Sequence, residues 1–371
     1  MFLECNKLIS VYIPSYFYND IKFTSFASMF EKCSSLTSVF ISNISSIDIS
    51  SLSSLSGMFL NCTALKSIDI SNVNFKSIIS SSKMFSGCTS LTSIHLANFE
   101  KIDTMESMFE VCSSLKSLIF TNFKTGNIKK MLYMFHNCYS LTSLDLSKFN
   151  LSNANIDYAF KNCYSLISIE LPTFAIFKID NMRELFYGCH SLKQIDLTHF
   201  VPGKVIVFSD FFYNCNSLVS LDLSSFDTSQ TEYMNNMFYN CWSLTSIILS
   251  SDFNTKNAIE MKYMFYNCSS LLSIDVSSFD TSKATTLNYL FAGCSSLTSI
   301  NISNFKLSST SLNYIFANCT NVKYLDISSI TSPNYPLFLK GLPRTGTIKY
   351  NRKIESFVQK ELPHWDYIPV D

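Results

Sequence analysis

Residues 221–241, LDLSSFDTSQTEYMNNMFYNC, form the unit that most of this 371-residue chain repeats. Each of the thirteen cysteines closes one copy, and successive cysteines lie 24 to 29 residues apart. They are Cys5, Cys33, Cys62, Cys88, Cys112, Cys138, Cys163, Cys189, Cys215, Cys241, Cys268, Cys294 and Cys319. A fixed period of this length indicates a solenoid, in which each coil packs only against its neighbours.

Two hydrophobic patterns alternate within each copy. A phenylalanine stands three residues before every cysteine, after Met or another apolar residue, as in Met237-Phe238. With a further apolar residue at Met234, this spacing predicts a buried helix of about two turns. Asn or Gly precedes the cysteine in ten copies, and we expect the helix to end there because both residues tolerate positive φ.

After each cysteine the pattern becomes that of a short strand. Leu stands three residues after the cysteine in twelve copies, and apolar and polar residues then alternate, as in SLDLS at 220–224. This alternation predicts a half-buried strand, and stacked coils would pair these strands into a parallel sheet. The predicted fold class is therefore an α/β repeat solenoid, with short helices on the face opposite the sheet.

The unit L-x-x-L-x-L-x-x-F, preceded by M-F-x-x-C, resembles the leucine-rich repeat. More narrowly, LDLSSFDTS at 221–229 and IDVSSFDTS at 274–282 are similar to the repeat of the BspA-like leucine-rich-repeat surface proteins of oral bacteria and parasitic protists. The resemblance spans residues 1–330. It implies a right-handed superhelix and a cell-surface adhesin that meets host or matrix macromolecules.

The period ends near residue 330, so we expect residues 1–330 to form the solenoid and residues 331–371 a C-terminal cap. The cap is predicted to contain a strand, a helix at about residues 353–362 and a final extended piece. Its expected buried anchors are Trp365, Tyr367 and Ile368. Because the first coil is incomplete, we interpret the chain as a fragment, or as a protein whose first coil a partner or a second copy covers.

Charge and composition exclude several classes of protein. Lysine plus arginine and aspartate plus glutamate number 28 each, and the basic excess of a nucleic-acid binder is absent. No run of 18 apolar residues and no signal peptide stand in this sequence, so we expect no membrane insertion. The resemblance implies the cell surface or the extracellular space, with the cytoplasm as the alternative.

The cysteines all fall at one phase of the repeat. Stacked coils would bring them within disulfide distance, but a buried free cysteine at each position also behaves as a small hydrophobic side chain. We predict a ladder of reduced, buried thiols, with neither metal nor cofactor.

A row of acidic residues is the first candidate binding feature. The outward strand-centre positions, coil by coil, are Tyr12, Phe40, Asp69, His95, Ile119, Asp145, Glu170, Asp196, Asp222, Ile248, Asp275, Asn301 and Asp326. One interpretation is that solvent and the flanking Ser and Thr residues screen these charges. The other is that Asp145, Glu170, Asp196, Asp222 and Asp275 meet a basic partner.

Two rows of aromatic residues are the second candidate feature. Tyr187, Tyr213, Tyr239 and Tyr266 stand just before the predicted helix end, and Tyr139, Tyr164, His190 and Trp242 follow the cysteine. Exposed Tyr and Trp anchor many protein interfaces, but amphipathic rings also pack over connecting loops. Both interpretations stay open.

No catalytic constellation is present in the sequence. The five histidines fall at different phases of the repeat, and the eight glycines form no phosphate-binding loop. We predict a non-catalytic module that binds a protein or glycoprotein, with the adhesin role implied by the resemblance. The alternatives are an intracellular scaffold for a cytosolic partner and self-association through the first coil.

Overall fold

A computed structural model describes most of the chain. The described residues are 2–13, 25–41, 51–70, 73, 75–125, 128–172, 179–307, 310–332, 335 and 337–371. They form two compact units, the first comprising Met1–Ile179 with Gly188–Ser191 and the second Asp180–Tyr187 with Leu192–Asp371. Each unit is a stack of parallel strands joined by turns, so the predicted parallel-strand solenoid is confirmed.

The strands are short, and each pairs in parallel with the strand of the next coil. They are β1 (Ser10–Ile13), β2 (Ser38–Ile41), β3 (Ser93–Ala97), β4 (Ser117–Thr121), β5 (Ser143–Asp145), β6 (Ser168–Glu170), β7 (Ser220–Leu223), β8 (Ser246–Leu249), β9 (Ser299–Asn301), β10 (Tyr324–Ile327), β11 (Thr347–Asn351) and β12 (Asp366–Val370). The first unit contains the pairs β1–β2, β3–β4 and β5–β6. The second contains β7–β8 and the sheet β9–β10–β11–β12.

The predicted two-turn helix before each cysteine is wrong, because stacked β-turns occupy that segment. In one coil the N–H of Cys62 donates to the carbonyl oxygen of Phe59 at 3.1 Å, which closes a turn. The N–H of Phe59 instead donates to Met84 in the next coil at 2.8 Å. Alternate N–H groups therefore close turns within a coil and join it to its neighbour.

Two left-handed residues in each coil from Cys33 to Cys319 explain why no helix forms. The residue before the cysteine has positive φ in all thirteen coils, as predicted for Asn and Gly, with Asn61 at 58°. A second positive φ, which the sequence did not indicate, lies four residues earlier, for example 65° at Gly57. Since a right-handed helix admits no such residue, the apolar spacing is realised by two successive turns.

The phenylalanines before the cysteines form the core of each unit as stacked rings. Neighbouring ring centroids lie 5.3–5.8 Å apart from Phe2 to Phe160 in the first unit. In the second unit they lie 5.3–6.3 Å apart from Phe186 to Phe316. The Leu and Phe side chains that the sequence predicts to be interior are buried around these rings.

The cysteines are free, and twelve of them are buried beside this core. Each buried thiol donates a hydrogen bond to the carbonyl oxygen of the phenylalanine in the preceding coil, at 2.9–3.3 Å. Burial raises the pKa of Cys241 to about 12, which keeps the donating proton in place. The prediction of a buried thiol is wrong for Cys5. This side chain is exposed, because no described coil precedes its own coil and packs over it.

The C-terminal segment extends the second unit's sheet. Strand β11 pairs with β10 and β12 pairs with β11, both in parallel, and helix α1 (Glu355–Glu361) lies between them. Trp365 is buried as predicted, and its indole N–H donates to the carbonyl oxygen of Pro343 at 3.0 Å. Tyr367 is half-buried. The prediction for Ile368 is wrong: it is 43% exposed, because the alternation along β12 directs it outward.

Candidate functional site

The outward face of the strands is the candidate site. Alternation sends Val11 and Val39 into the core of the first unit and leaves their neighbours outside. Tyr12 is 67% exposed and Phe40 is 61% exposed, and the two are register partners on β1 and β2. On β3 and β4 the partners at this position are His95 and Ile119, which are also exposed.

Two acidic residues of the first unit are brought together as predicted. Asp145 and Glu170 are register partners on β5 and β6, and both are exposed. Their backbones are one strand spacing apart, about 4.8 Å, so the like charges lie side by side in water. Asp145 has a local role as well, since its Oδ1 accepts the backbone N–H of Ser147 at 2.8 Å.

The acids of the second unit have the same local role. Oδ1 accepts the N–H of the residue two positions later, at 2.9 Å, in Asp196, Asp222 and Asp275. These are Asx-turns, in which a side chain fixes the chain direction after the strand. The hydrogen bonds from Ser277 hold the pKa of Asp275 below its ordinary value, so the carboxylate stays ionised.

The acidic row of the second unit is interrupted. The register partner of Asp222 is Ile248, an exposed aliphatic residue. At the end of the row, the expectation that Asp326 faces outward into solvent is wrong, since it is only 3% exposed. Strand β11 places Lys349 beside it, with Nζ 3.1 Å from Oδ2, and this ion pair raises the pKa of Lys349.

The predicted tyrosine row of the second unit is a continuous stack. The ring centroids from Tyr187 to Tyr213 and on to Tyr239 are 4.5 Å apart, and Tyr266 follows at 4.7 Å. All four side chains are half-buried, and burial raises the pKa of Tyr239 to about 12. Because the rings cover one another's faces, this row has a structural role and stiffens the turn side of the coils.

Sequence reasoning missed a second tyrosine row. Tyr263, Tyr289 and Tyr314 stack at 4.8 and 5.2 Å, and each has positive φ. Tyr263 also meets Tyr266 edge-on at 5.5 Å. The signal was present in the sequence, since tyrosine stands five residues before the cysteine in all three coils.

The aromatic residues that follow the cysteines behave differently in the two units. In the first unit Tyr139, Tyr164 and His190 stack at 4.9 and 4.7 Å, and burial lowers the pKa of His190. In the second unit Trp242 is 52% exposed. Among the tyrosines and tryptophan of the two predicted aromatic rows, Trp242 has the largest exposed fraction.

An open cavity of about 380 Å³ lies on the sheet face of the first unit, at a place where the sequence assigned no site. Its walls include Tyr12, Phe40 and Asp69 from three successive coils. The serines Ser38 and Ser67 stand between them along the strands. The cavity therefore combines two aromatic rings and one carboxylate.

Among the described residues, no group of three or more His, Cys, Asp or Glu side chains is placed to hold a metal ion. None of the helices that these residues form is long and apolar enough to cross a bilayer.

Comparison with known proteins places the chain among repeat proteins. The family model described as "Mycoplasma protein of unknown function, DUF285" matches residues 1–117, 92–200, 154–273 and 246–332. No curated protein matches the chain in sequence.

Solved structures with similar folds are leucine-rich-repeat proteins. One from Bacteroides ovatus ATCC 8483 is 21% identical, with a TM-score of 0.56, over 100% of this chain and 86% of that one. A leucine-rich cell-surface protein from Faecalibacterium prausnitzii A2-165 is 18% identical, with a TM-score of 0.31, over 96% and 87%. The Drosophila Toll–Spatzle complex matches at 13% identity and a TM-score of 0.34, over 91% and 55%. The first of these shows that the fold is that of a leucine-rich-repeat protein.

Proposed function

This chain belongs to the DUF285 family, and we propose that it is a non-catalytic recognition module that binds a protein or glycoprotein on the sheet face of its coils. The proposal rests on the different positions of the residues within each coil. Phe, Cys and Leu fill the interior, and in every coil except that of the buried Asp326 the strand-centre side chain reaches the surface and varies in type. Repeat proteins use such extended surfaces to recognise macromolecules.

The cell-surface adhesin role is the finer part of the proposal. It rests on the similarity of the segments at 221–229 and 274–282 to the BspA-like repeat. In this role the exposed acids Asp145, Glu170, Asp196 and Asp275, with the half-buried Asp222, would attract a partner with basic side chains. Labelling intact cells with a membrane-impermeant reagent tests the location: labelled protein supports the adhesin, and labelling only after lysis favours the intracellular scaffold.

The binding face is tested by a matched pair of double variants. Asp222→Asn with Asp275→Asn removes two charges from the strand centres but keeps the side-chain acceptor, as Asn301 does for the N–H of Ser303 at 2.9 Å. Asp227→Asn with Asp280→Asn makes the same change in the same two coils, at carboxylates that cap turns away from the strands.

We expect the strand-centre variant to weaken binding to immobilised host-cell surface and matrix proteins by about threefold or more, because removed charge pairs of this exposure have that size. The turn variant should bind like the wild type. Equal affinity of all three proteins would contradict an acidic binding face.

A further inference from the structure

Strand β12 is the edge of the last sheet of the second unit. The strands of this sheet have the order β9–β10–β11–β12, and among the described residues no strand pairs with β12 on the side away from β11. An edge strand presents unpaired N–H and C=O groups, so a strand of another molecule can pair with it. The hydrogen-bonding groups on this edge therefore decide whether a further strand can be added.

The parallel register shows which residues of β12 face the edge. The N–H of Asp366 donates to the carbonyl oxygen of Gly346 at 2.7 Å, just before β11 begins. Successive residues of a strand direct their backbone groups to opposite sides. Asp366 and Ile368 therefore direct theirs to β11. Those of Tyr367 and Pro369 point to the free edge.

Proline stands at one of these two edge positions. Pro369 has no N–H, so the edge has a donor at Tyr367 and none at Pro369. The sheet itself loses nothing, because residue 369 directs its backbone away from β11. Within sheets, proline is confined to such positions, where the missing N–H would have faced solvent.

The other residues of β12 favour strand addition. Tyr367, Ile368 and Val370 are of types that are enriched in strands, and Ile368 is 43% exposed. Short segments of high strand propensity that contain no proline are typical of strands that join molecules edge to edge. Pro369 interrupts such a segment at the edge of the sheet.

A second copy of β12 is the simplest strand that could be added. Two copies related by a two-fold axis meet edge to edge as antiparallel strands. With the axis at Ile368, Tyr367 of each copy lies opposite Pro369 of the other, and residues paired in this way exchange both of their N–H···O bonds. Because Pro369 lacks the N–H, half of these hydrogen bonds cannot form, and the carbonyl oxygen of Tyr367 has no donor.

We propose that Pro369 keeps two copies of this chain from pairing through β12. Pro369→Val tests this in the full chain, because valine supplies the missing N–H and favours a strand. In sedimentation equilibrium at equal protein concentration, the weight-average mass of the variant should rise towards about twice that of the wild type. Equal masses of wild type and folded Pro369→Val would overturn the proposal.

Ile368→Val is the matched control. It places the same valine on the same strand, but its N–H points to β11, so the bonding groups of the edge are unchanged. This variant should sediment like the wild type. If it associated as strongly as Pro369→Val, the side chains of β12 rather than the missing N–H would govern pairing, and the assignment to Pro369 would be wrong.

Amide hydrogen exchange followed by NMR tests the edge in the wild type, whether or not Pro369→Val folds. Corrected for intrinsic rates, the N–H of Tyr367 should exchange about tenfold or more faster than that of Ile368, because only the latter bonds to β11. In Pro369→Val the exchange at Tyr367 should slow as the protein concentration rises. Exchange at Tyr367 as slow as at Ile368 in the wild type would mean that another group covers this edge, and Pro369 would then have no such role.

Discussion

The outward residue at the strand centre differs in type between the early coils and the later ones, and the backbone hydrogen bonds beside it differ as well. Strands β3 and β4, with His95 and Ile119 at the centre, continue two residues further, to Ala97 and Thr121. Strand β5 ends at Asp145 itself. In β5 the carboxylate accepts the N–H of Ser147, a group that would otherwise be available for the ladder. The Asx-turn directs the chain after the strand but does not fix the last residue of the strand. Strand β7 continues past Asp222 to Leu223, just as β8 continues past Ile248 to Leu249.

Strand β9 in the second unit has the same arrangement as β5. It ends at Asn301, whose Oδ1 accepts the N–H of Ser303 at 2.9 Å. In these later coils the outward polar residue therefore has two roles: it is solvated, and its side chain accepts the hydrogen bond that turns the chain. The early coils instead carry the exposed rings of Tyr12 and Phe40 at that position.

The largest expected effect is the loss of stability when a phenylalanine of the interior row is removed. A phenylalanine of the outward row provides the comparison. Phe238→Ala removes a ring stacked between Phe212 and Phe265 and should lower the free energy of unfolding by about 3–5 kcal/mol. Phe40→Ala, at an exposed strand centre, should change it by less than about 0.5 kcal/mol. Urea unfolding monitored by circular dichroism measures both. Similar losses in the two variants would mean that Phe40 belongs to the core.

The interior row could be predicted because it depends only on the local period. Phe238 and Cys241 recur in every coil at fixed spacing, and the structure buries both. The turns could not be told from a helix, because apolar residues at i, i+3 and i+4 suit two stacked turns equally well. The left-handed conformation of Tyr263 was hidden for a related reason, since tyrosine has no intrinsic preference for positive φ.

The candidate site was predicted in part. The exposure of Asp145 and Glu170 follows from alternation alone, and the structure places them as register partners. Asp326 has the same sequence pattern but is buried, because its surroundings depend on the pairing of β10 with a strand from beyond the repeats. The cavity lined by Tyr12, Phe40 and Asp69 likewise requires three coils to be stacked, so a single repeat contains no sign of it.

An intermediate effect is expected for the acids that turn the chain. Asp222→Ala leaves the N–H of Ser224 without its side-chain acceptor and should cost about 1 kcal/mol of unfolding free energy. Asp222→Asn keeps an acceptor oxygen and should be nearly neutral. The same urea titration compares the two variants. If Asn proved as costly as Ala, the charge rather than the hydrogen bond would be what Asp222 contributes, and the comparison between the two kinds of strand end would fail.

The smallest effect concerns pH and a turn-capping acid that faces away from the strand centres. The hydrogen bond and charge of Lys306, 2.7 Å away, together with Ser282, lower the pKa of Asp280 to about 2. Since an unfolded aspartate titrates near pH 4, folding favours the ionised form. The stabilisation is therefore complete above about pH 4 and is lost as the pH falls towards 2.

Asp280→Asn should flatten this part of the stability profile, because its side chain no longer titrates. Thermal unfolding from pH 6 to pH 2 measures the slope for the wild type and the variant, and the group is exposed enough that the difference should be small. Asp227→Asn is the matched control, an Asx cap two coils earlier for which no ion pair is found among the described residues. If Asp227→Asn flattened the profile as much as Asp280→Asn, the turn hydrogen bond would account for the pH dependence, and Lys306 would contribute nothing to it.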